Sequence, residues 1–273
     1  MKRTESPKNN SVNNAIMVLE YLASIDFPQD LAVISKALGM NKSNVYRLLS
    51  TLKEKHYVFQ DENSKQYSLG AKVTWLAAKY LDKNEVRKVA HPLIETLSQQ
   101  VGETIHLGIL DGWEVMYVDK INGKAAVHMI SQVGGRMPIH CTSLGKALLA
   151  FQPESKWHEY IDQCGLPART SHTITDPALF YEELRKIRKQ RFSFDDMENE
   201  EGIRCIAAPI FDASGNPVAA VSISSWIIAM TTERVQTFVT PLLETTDAIS
   251  ARLGSISHKH SDNAVRANQN LHS

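Results

Sequence analysis

The sequence predicts an α+β chain in two parts: a small module of helices and one hairpin, then a larger domain of helices packed on a mainly antiparallel sheet. Three observations predict it. Apolar residues recur at helical spacing three times within the first 55 residues. Two short β-prone runs around a polar turn come directly after them. From Thr104 the apolar period shortens to two, and strand-like and helix-like runs then succeed one another to about Gly254.

Composition bounds the function. The chain has 273 residues, 43% apolar and 22% charged, enough for two domains and ordinary for a soluble globular protein. No apolar run approaches a membrane span and the first residues have no signal-peptide core, so a cytoplasmic protein without a membrane partner is expected. Cys141, Cys164 and Cys205 show no paired spacing, which argues against a disulfide framework and a zinc finger. Net charge is zero, yet residues 1–70 hold nine Lys and Arg against seven Asp and Glu, a surplus of two positive charges. A small nucleic-acid module on a neutral body is permitted but not required. There are no internal repeats, no phosphate loop and no GxGxxG, and no cofactor or metal is expected.

Met1 to Asn10 reads as a mobile polar tail in which Lys2, Arg3 and Lys8 could meet phosphate. A first helix begins at Ser11, with Ala15, Ile16, Leu19, Leu22 and Ala23 as its apolar stripe and Asp26-Phe27-Pro28 as its stop. Asp30 caps a short second helix that turns Leu31, Ile34 and Leu38 inward and ends at Gly39. A third helix spans 41–55. Asn41 is its cap, and Val45, Leu48, Leu49 and Leu52 its buried stripe. Its other face carries Ser43, Asn44, Arg47 and Thr51, with Tyr46 at the border and Lys42 at the start. Short polar side chains and an arginine suit a major groove, with Ser43, Asn44, Tyr46 and Arg47 toward base edges and Lys42 and Thr51 toward backbone. Plain solvent suits such a face equally well. The next segment of the chain decides between the two. Tyr57–Gln60 and Gln66–Leu69 flank the turn Asp61–Lys65, and a hairpin directly after such a helix makes a winged helix-turn-helix, with Lys65 at the wing tip.

The module is therefore assigned to residues 1–70 and a linker helix to 71–83, with Val73, Leu76, Ala77 and Tyr80 on one side and a break at Asp82-Lys83-Asn84. Asn84 caps a helix to about Val101, expected to kink at Pro92. Ile105–Leu110 and Glu114–Lys120 form a hairpin about Asp111-Gly112-Trp113, and Ala126–Gln132 is a further strand. A helix capped by Thr142 or Ser143 carries Leu144, Ala147, Leu148 and Phe151. Further helices lie near 154–163 and 177–190. Ile203–Phe211 and Pro217–Ser225 are strands, and Thr232–Leu253 is a last helix with Pro241 inside. The second domain spans 84–254, and 255–273 is a disordered tail.

One group of features suggests a ligand pocket. First-turn N–H groups of Ser143, Leu144 and Gly145 could hold an anion at a helix start. Phe194–Glu201 is an acidic loop containing Asp195 and Asp196. Ser222 and Ser224 share one face of their strand, and Cys205 opens the strand before it. Each residue also has a plainer role as a cap, a solvated loop residue or a backbone partner. An enzyme reading rests on His140-Cys141 as a nucleophile pair, or on His140, Cys141, Cys205 and Asp195 as metal ligands. Adjacent strand residues face opposite ways, and the metal spacing matches no familiar pattern.

Several segments carry a resemblance: Lys42–Leu49, Glu103–Leu107, His140–Ala147, Asp195-Asp196, Ala220–Ser224 and, most specifically, Glu200–Asp212. Together they resemble the IclR family of bacterial transcription regulators over nearly the whole chain, to about Gly254. Within it the chain is most similar to the KdgR group, regulators of sugar-acid catabolism of the 2-keto-3-deoxygluconate type. The resemblance implies a winged-helix domain, a linker helix and a GAF-like effector domain. It also implies homodimers formed through the DNA-binding half that pair into homotetramers. It places effector-binding roles on Ser143, Leu144, Asp195, Cys205, Ser222 and Ser224, with a small carboxylate such as a keto sugar acid as ligand. Some relatives carry a small residue at the position of Leu144 and alanine at that of Cys141, which reshapes the pocket floor. The expected protein is a ligand-responsive repressor that binds double-stranded operator DNA and is not an enzyme. An activator of the same family, or a Cys- or metal-dependent enzyme, is the alternative.

Overall fold

The computed structural model describes residues 10–124 and 131–255. Expectations for residues 1–9, for the tail beyond Ser255 and for most of the strand over Ala126–Gln132 fall outside them. Ser131 and Gln132 themselves have no regular structure. The chain divides into two compact units between Lys83 and Asn84.

In the first unit α1 (Asn10–Ala23), α2 (Leu31–Ala37) and α3 (Lys42–Glu54) surround a core of Val18, Leu22, Ile34, Val45, Leu49, Val58 and Tyr67. The face of α1 differs from the sequence reading: Ile16 is 48% exposed and Val18 is buried. The stripe runs through Ala15, Val18, Leu19 and Leu22, about a third of a turn from where Ile16 would centre it. The Asp30 side chain makes no capping bond; its carbonyl accepts from Val33 and Ile34 instead. Gly39, at φ 63°, makes the turn into α3, where Asn41 caps the Asn44 N–H at 2.9 Å. Strands β1 (Val58–Gln60) and β2 (Tyr67–Leu69) pair antiparallel, and a bridge from Gln29 to Tyr67 joins them. Asp61 closes the wing turn by accepting from the N–H groups of Asn63 and Ser64. Helix α4 (Lys72–Lys83) has no break at Asp82 or Lys83; only Asn84 interrupts it, in extended conformation and capping Arg87.

Among the described residues the second unit is one six-stranded antiparallel sheet between two helical layers. Its strands are β3 (Thr104–Asp111), β4 (Glu114–Ile121), β5 (Arg136–Pro138), β6 (Ser193–Asp196), β7 (Ile203–Phe211) and β8 (Pro217–Trp226), in the order β5-β4-β3-β8-β7-β6. Two of these were not expected: β5, three residues long, and β6, which the acidic sequence presents as a loop. Edge strands are where short or charged segments are tolerated, because one side needs no ladder partner. Helices α5 (Glu85–Val101) and α9 (Thr232–Arg252) cover one face, with Ile94, Leu97, Leu242 and Ile249 against Ile105, Ile206, Val221 and Ile223. Pro92 and Pro241 lie inside helices that continue through them. Helices α6 (Ser143–Ala150), α7 (Glu154–Cys164) and α8 (Pro177–Gln190) cover the other, with Leu148, Trp157, Phe180 and Leu184 about Ala207 and Ala220.

Every residue of α6 is buried. Gly145 is what lets it sit so close: a Cβ there would lie 2.3 Å from the Ile139 carbonyl oxygen and 2.4 Å from Ile139 Cα. Gly145→Ala must push α6 off this backbone, and overpacking of this kind costs ~1–3 kcal/mol or more. Urea denaturation should show that loss; a variant as stable as the parent would mean that the 139–145 corner gives way freely.

Candidate functional site

Each unit carries a candidate surface. In the first, α3 buries Val45 and Leu49 and presents Lys42, Ser43, Tyr46, Arg47 and Thr51 to solvent, with Asn44 half-buried beside them. The side chains of Lys42 and Arg47 make no hydrogen bond or ion pair among the described residues, so their charges are uncommitted. Ser43 donates to Asn41 at 3.0 Å and Thr51 to the Arg47 carbonyl at 3.0 Å, which holds both short against the helix. Lys65 is exposed on the wing turn in left-handed conformation, at φ 59°.

In the second unit a cavity of about 610 Å³ opens between the sheet and the start of α6. Ser143, Leu144, Asp195, Cys205, Ser222 and Ser224 all line it. Strand register brings them together. Cys205 stands opposite Ser224, Asp195 opposite Cys205, and His106 opposite Ser222. Directly opposed residues of an antiparallel pair share a face, so four strands project these side chains toward α6. Val221, Ile223 and Ile206, one residue along, face the apolar core instead.

The helix start supplies fewer donors than the sequence suggested. Thr142 is the cap, and its hydroxyl oxygen accepts from the Gly145 N–H at 3.2 Å while donating to the Pro138 carbonyl. That leaves the N–H groups of Ser143 and Leu144 without a partner among the described residues. Asp196 turns away and pairs with Arg204 at 2.6 Å. The sequence reading missed His106 and Tyr117, whose rings stack at 4.8 Å on the cavity wall. His106 lies 3.3 Å from the Ser224 hydroxyl and 2.7 Å from that of Ser131. A polar residue between Ile105 and Leu107 was the available signal for it. Arg136 lines the mouth but is paired with Asp111 and Glu114.

Burial sets the charge of the site. Desolvation, helped by Lys120, takes His106 down to about 3, so it is neutral. Burial lifts Asp195 to about 7 against the nearby Lys146 ammonium and the Glu198 N–H, which donates to it at 2.7 Å. Burial and the Asp195 carboxyl push the Cys205 thiol up, so it is no thiolate. His140 and Cys141 lie in a turn before α6 rather than on a strand, and they do not pair. The His140 ring is held by Tyr160 and the Pro167 carbonyl, while Cys141 points to Asn199 and is raised to about 12 by burial. Among the described residues no group of three His, Cys, Asp or Glu side chains is set to hold a metal, and no helix is long and apolar enough to cross a membrane.

A winged helix-turn-helix unit joined to a domain built round a ligand-sized cavity is the architecture of a one-component transcription regulator. Residues 11–62 match the IclR helix-turn-helix domain, and residues 78–251 match the bacterial transcriptional regulator IclR C-terminal family. The chain belongs to the IclR family. It is 34% identical over 246 residues to the HTH-type transcriptional regulator KdgR of Escherichia coli K12, covering 89% of this chain and 94% of that one. It is 29% identical to the transcriptional repressor IclR of the same organism, over 90% of each chain. The Thermotoga maritima IclR crystal structure superposes with a TM-score of 0.80 at 34% identity, covering 90% of this chain and all of that one. An IclR homolog complexed with 4-hydroxybenzoate from Microbacterium hydrocarbonoxydans shares the fold, with a TM-score of 0.76 at 24% identity over 89% of this chain and 99% of that one. The protein is a transcriptional regulator, not an enzyme.

The buried Asp195 has a consequence for stability. Its folded-state value lies above that of an unfolded aspartate, so its contribution is complete below about pH 4 and is lost as pH rises through about 7. Asp195→Asn should therefore gain stability relative to the parent, by on the order of 2–3 kcal/mol, between pH 5 and pH 8.5. Urea melts at the two pH values check this; a constant difference would place the ionised carboxylate in water.

Proposed function

We propose that the protein represses a sugar-acid catabolic operon by binding a palindromic operator as a dimer, and that a small carboxylate in the C-terminal cavity releases it. One observation carries the ligand side of this reading. Two helix-start N–H groups without a partner among the described residues and the polar side chains of Asp195, Ser222 and Ser224 line one cavity, in which His106 is neutral and burial lifts Asp195 to about 7. The N–H groups of Ser143 and Leu144 suit the carboxylate, and the serines and Asp195 suit the hydroxyls of a keto sugar acid. Leu144 and Cys205 complete the wall. Similarity to regulators named KdgR, the group whose resemblance implies sugar-acid catabolism, supports the choice of ligand class, and similarity to the transcriptional repressor IclR supports repression.

On the DNA side, Ser43, Asn44, Tyr46 and Arg47 read bases, while Lys42, Thr51 and Lys65 hold the backbone. Trp75, Leu76 and Tyr80 are exposed along α4, an apolar surface that supports pairing of two chains, with dimers joining into tetramers. Such a regulator works in the cytoplasm. Release requires the ligand to prefer the arrangement of subunits that fits the operator poorly.

Two experiments test the reading. In gel shifts Arg47→Ala should lose ~1–3 kcal/mol of discrimination at one operator position per half-site. Lys65→Ala should instead weaken binding to all sequences alike and reduce the salt slope by about one. An Arg47→Ala protein as selective as the parent would remove Arg47 from base readout. For the cavity, the double variant Ser222→Ala, Asp195→Ala should give an operator complex that no longer dissociates with 2-keto-3-deoxygluconate. A response at the parent's concentration would move the ligand elsewhere.

A further inference from the structure

Lys146 is a lysine with no exposed surface, one turn beyond the free N–H groups of α6. It does not line the cavity. Its ammonium donates to the Phe194 carbonyl at 2.5 Å, forms a short ion pair with Glu198, and lies 3.7 Å from Glu183 of α8. Burying a charged lysine is costly unless every partner is in place. Here the partners include a second anion, and Glu198 Oε2 is buried with no hydrogen bond among the described residues. An apolar side chain would fill this space more cheaply if packing were the only requirement.

Two of its three partners belong to β6 and the corner after it: Phe194 within the strand and Glu198 beyond it. Phe194 precedes Asp195, and the Glu198 N–H is the donor that fixes the Asp195 carboxyl at 2.7 Å. The same corner holds Met197 in left-handed conformation, at φ 62°. Thr170 and Thr173 donate to the carbonyls of Met197 and Glu198 from behind. Asn199 and Glu200, next in the chain, are cavity wall. On the other side Ser193 donates to the Ser143 carbonyl at 2.6 Å. One helix thus presents two N–H donors to the cavity and, from its next turn, grips the strand that presents the carboxyl.

We propose that Lys146 is the positioning residue of the cavity: its buried ammonium clamps the Phe194–Glu198 corner to α6, fixing Asp195 relative to the Ser143 and Leu144 N–H groups and setting the charge that Asp195 shows a ligand. The role of the cavity as a ligand site rests on the function proposed above; the clamp and its effect on Asp195 do not. The groups that act electrostatically on Asp195 are Lys146 from α6, Glu198 from its own turn, Tyr117 from β4, Cys141 from the segment before α6 and Cys205 from β7, while His106, Arg136 and Glu200 line the same cavity and Arg136 is paired with Asp111 and Glu114. Of the groups that act on it Lys146 is the cation, and it favours the ionised carboxylate; Glu198 opposes it.

The opposite signs of these two neighbours give the test. The full chain is labelled with carboxyl-¹³C aspartate and titrated without ligand, the Asp195 signal being assigned by its loss in Asp195→Asn. Lys146→Met keeps the length and removes the charge, and should raise the Asp195 midpoint by at least about half a pH unit. Glu198→Gln keeps the shape and should lower it. Amide exchange at Glu198 should quicken in Lys146→Met, because the clamp is open. A residue that merely filled space would not move the midpoint in opposite directions in the two variants. Unchanged midpoints in both would overturn the proposal. Should Lys146→Met fail to fold, Glu198→Gln decides: a lowered midpoint upholds the assignment and an unmoved one ends it. A parent protein that titrates as described but does not bind 2-keto-3-deoxygluconate would refute the ligand class and leave the clamp standing.

Discussion

The register of three antiparallel strands governs the second domain. Because Cys205 pairs with Ser224 and Ser222 with His106, polar side chains from β3, β7 and β8 gather on one face, and Ile206, Val221 and Ile223 gather on the other. The side-chain period of a strand is two, so a slip of one residue would send the serines into the α5–α9 core and the isoleucines into the cavity. Burial of the apolar face against two long helices is what holds the register. The cavity is thus specified by residues that never touch it.

The electrostatics derive from where that sheet lies. Burial beneath α6 desolvates this face, which lowers the basicity of His106 and lifts the titration of Asp195 toward neutrality. His106 is thereby neutral, and Asp195 titrates near physiological pH instead of being fully ionised there. The same burial makes Cys205 an inert thiol, which removes the nucleophile chemistry that a cysteine beside a carboxylate would otherwise suggest. Helix α3 is the opposite case: its polar face is exposed, and the Arg47 side chain makes no hydrogen bond or ion pair among the described residues.

The two units were not equally legible. In the first, nearly every determinant is local. Asn41 caps the helix it begins, Gly39 turns the chain at positive φ, and Asp61 ties its own turn. Of what differed there, the exposed Ile16 is a matter of phase around one helix, the unused Asp30 side chain leaves its cap to the backbone carbonyl, and α4 runs on through Lys83. In the second, β6 was hidden because Phe194-Asp195-Asp196 has the composition of a loop, and only pairing with Cys205 and Arg204 makes it a strand. His106 and Tyr117 were overlooked as site residues, since their places depend on partners far along the chain.

By itself the sequence determined the winged module and the order of most elements, because caps, turn residues and apolar periods act over a few positions; the six cavity residues were singled out by the family resemblance. Only the tertiary structure decided that those six face one cavity, that Gly145 lost its N–H to Thr142, that burial lifts Asp195 to about 7 and that Lys146 stands behind it. Those outcomes depend on long-range register and on desolvation. Both are properties of what surrounds a residue, and no stretch of chain carries its own surroundings.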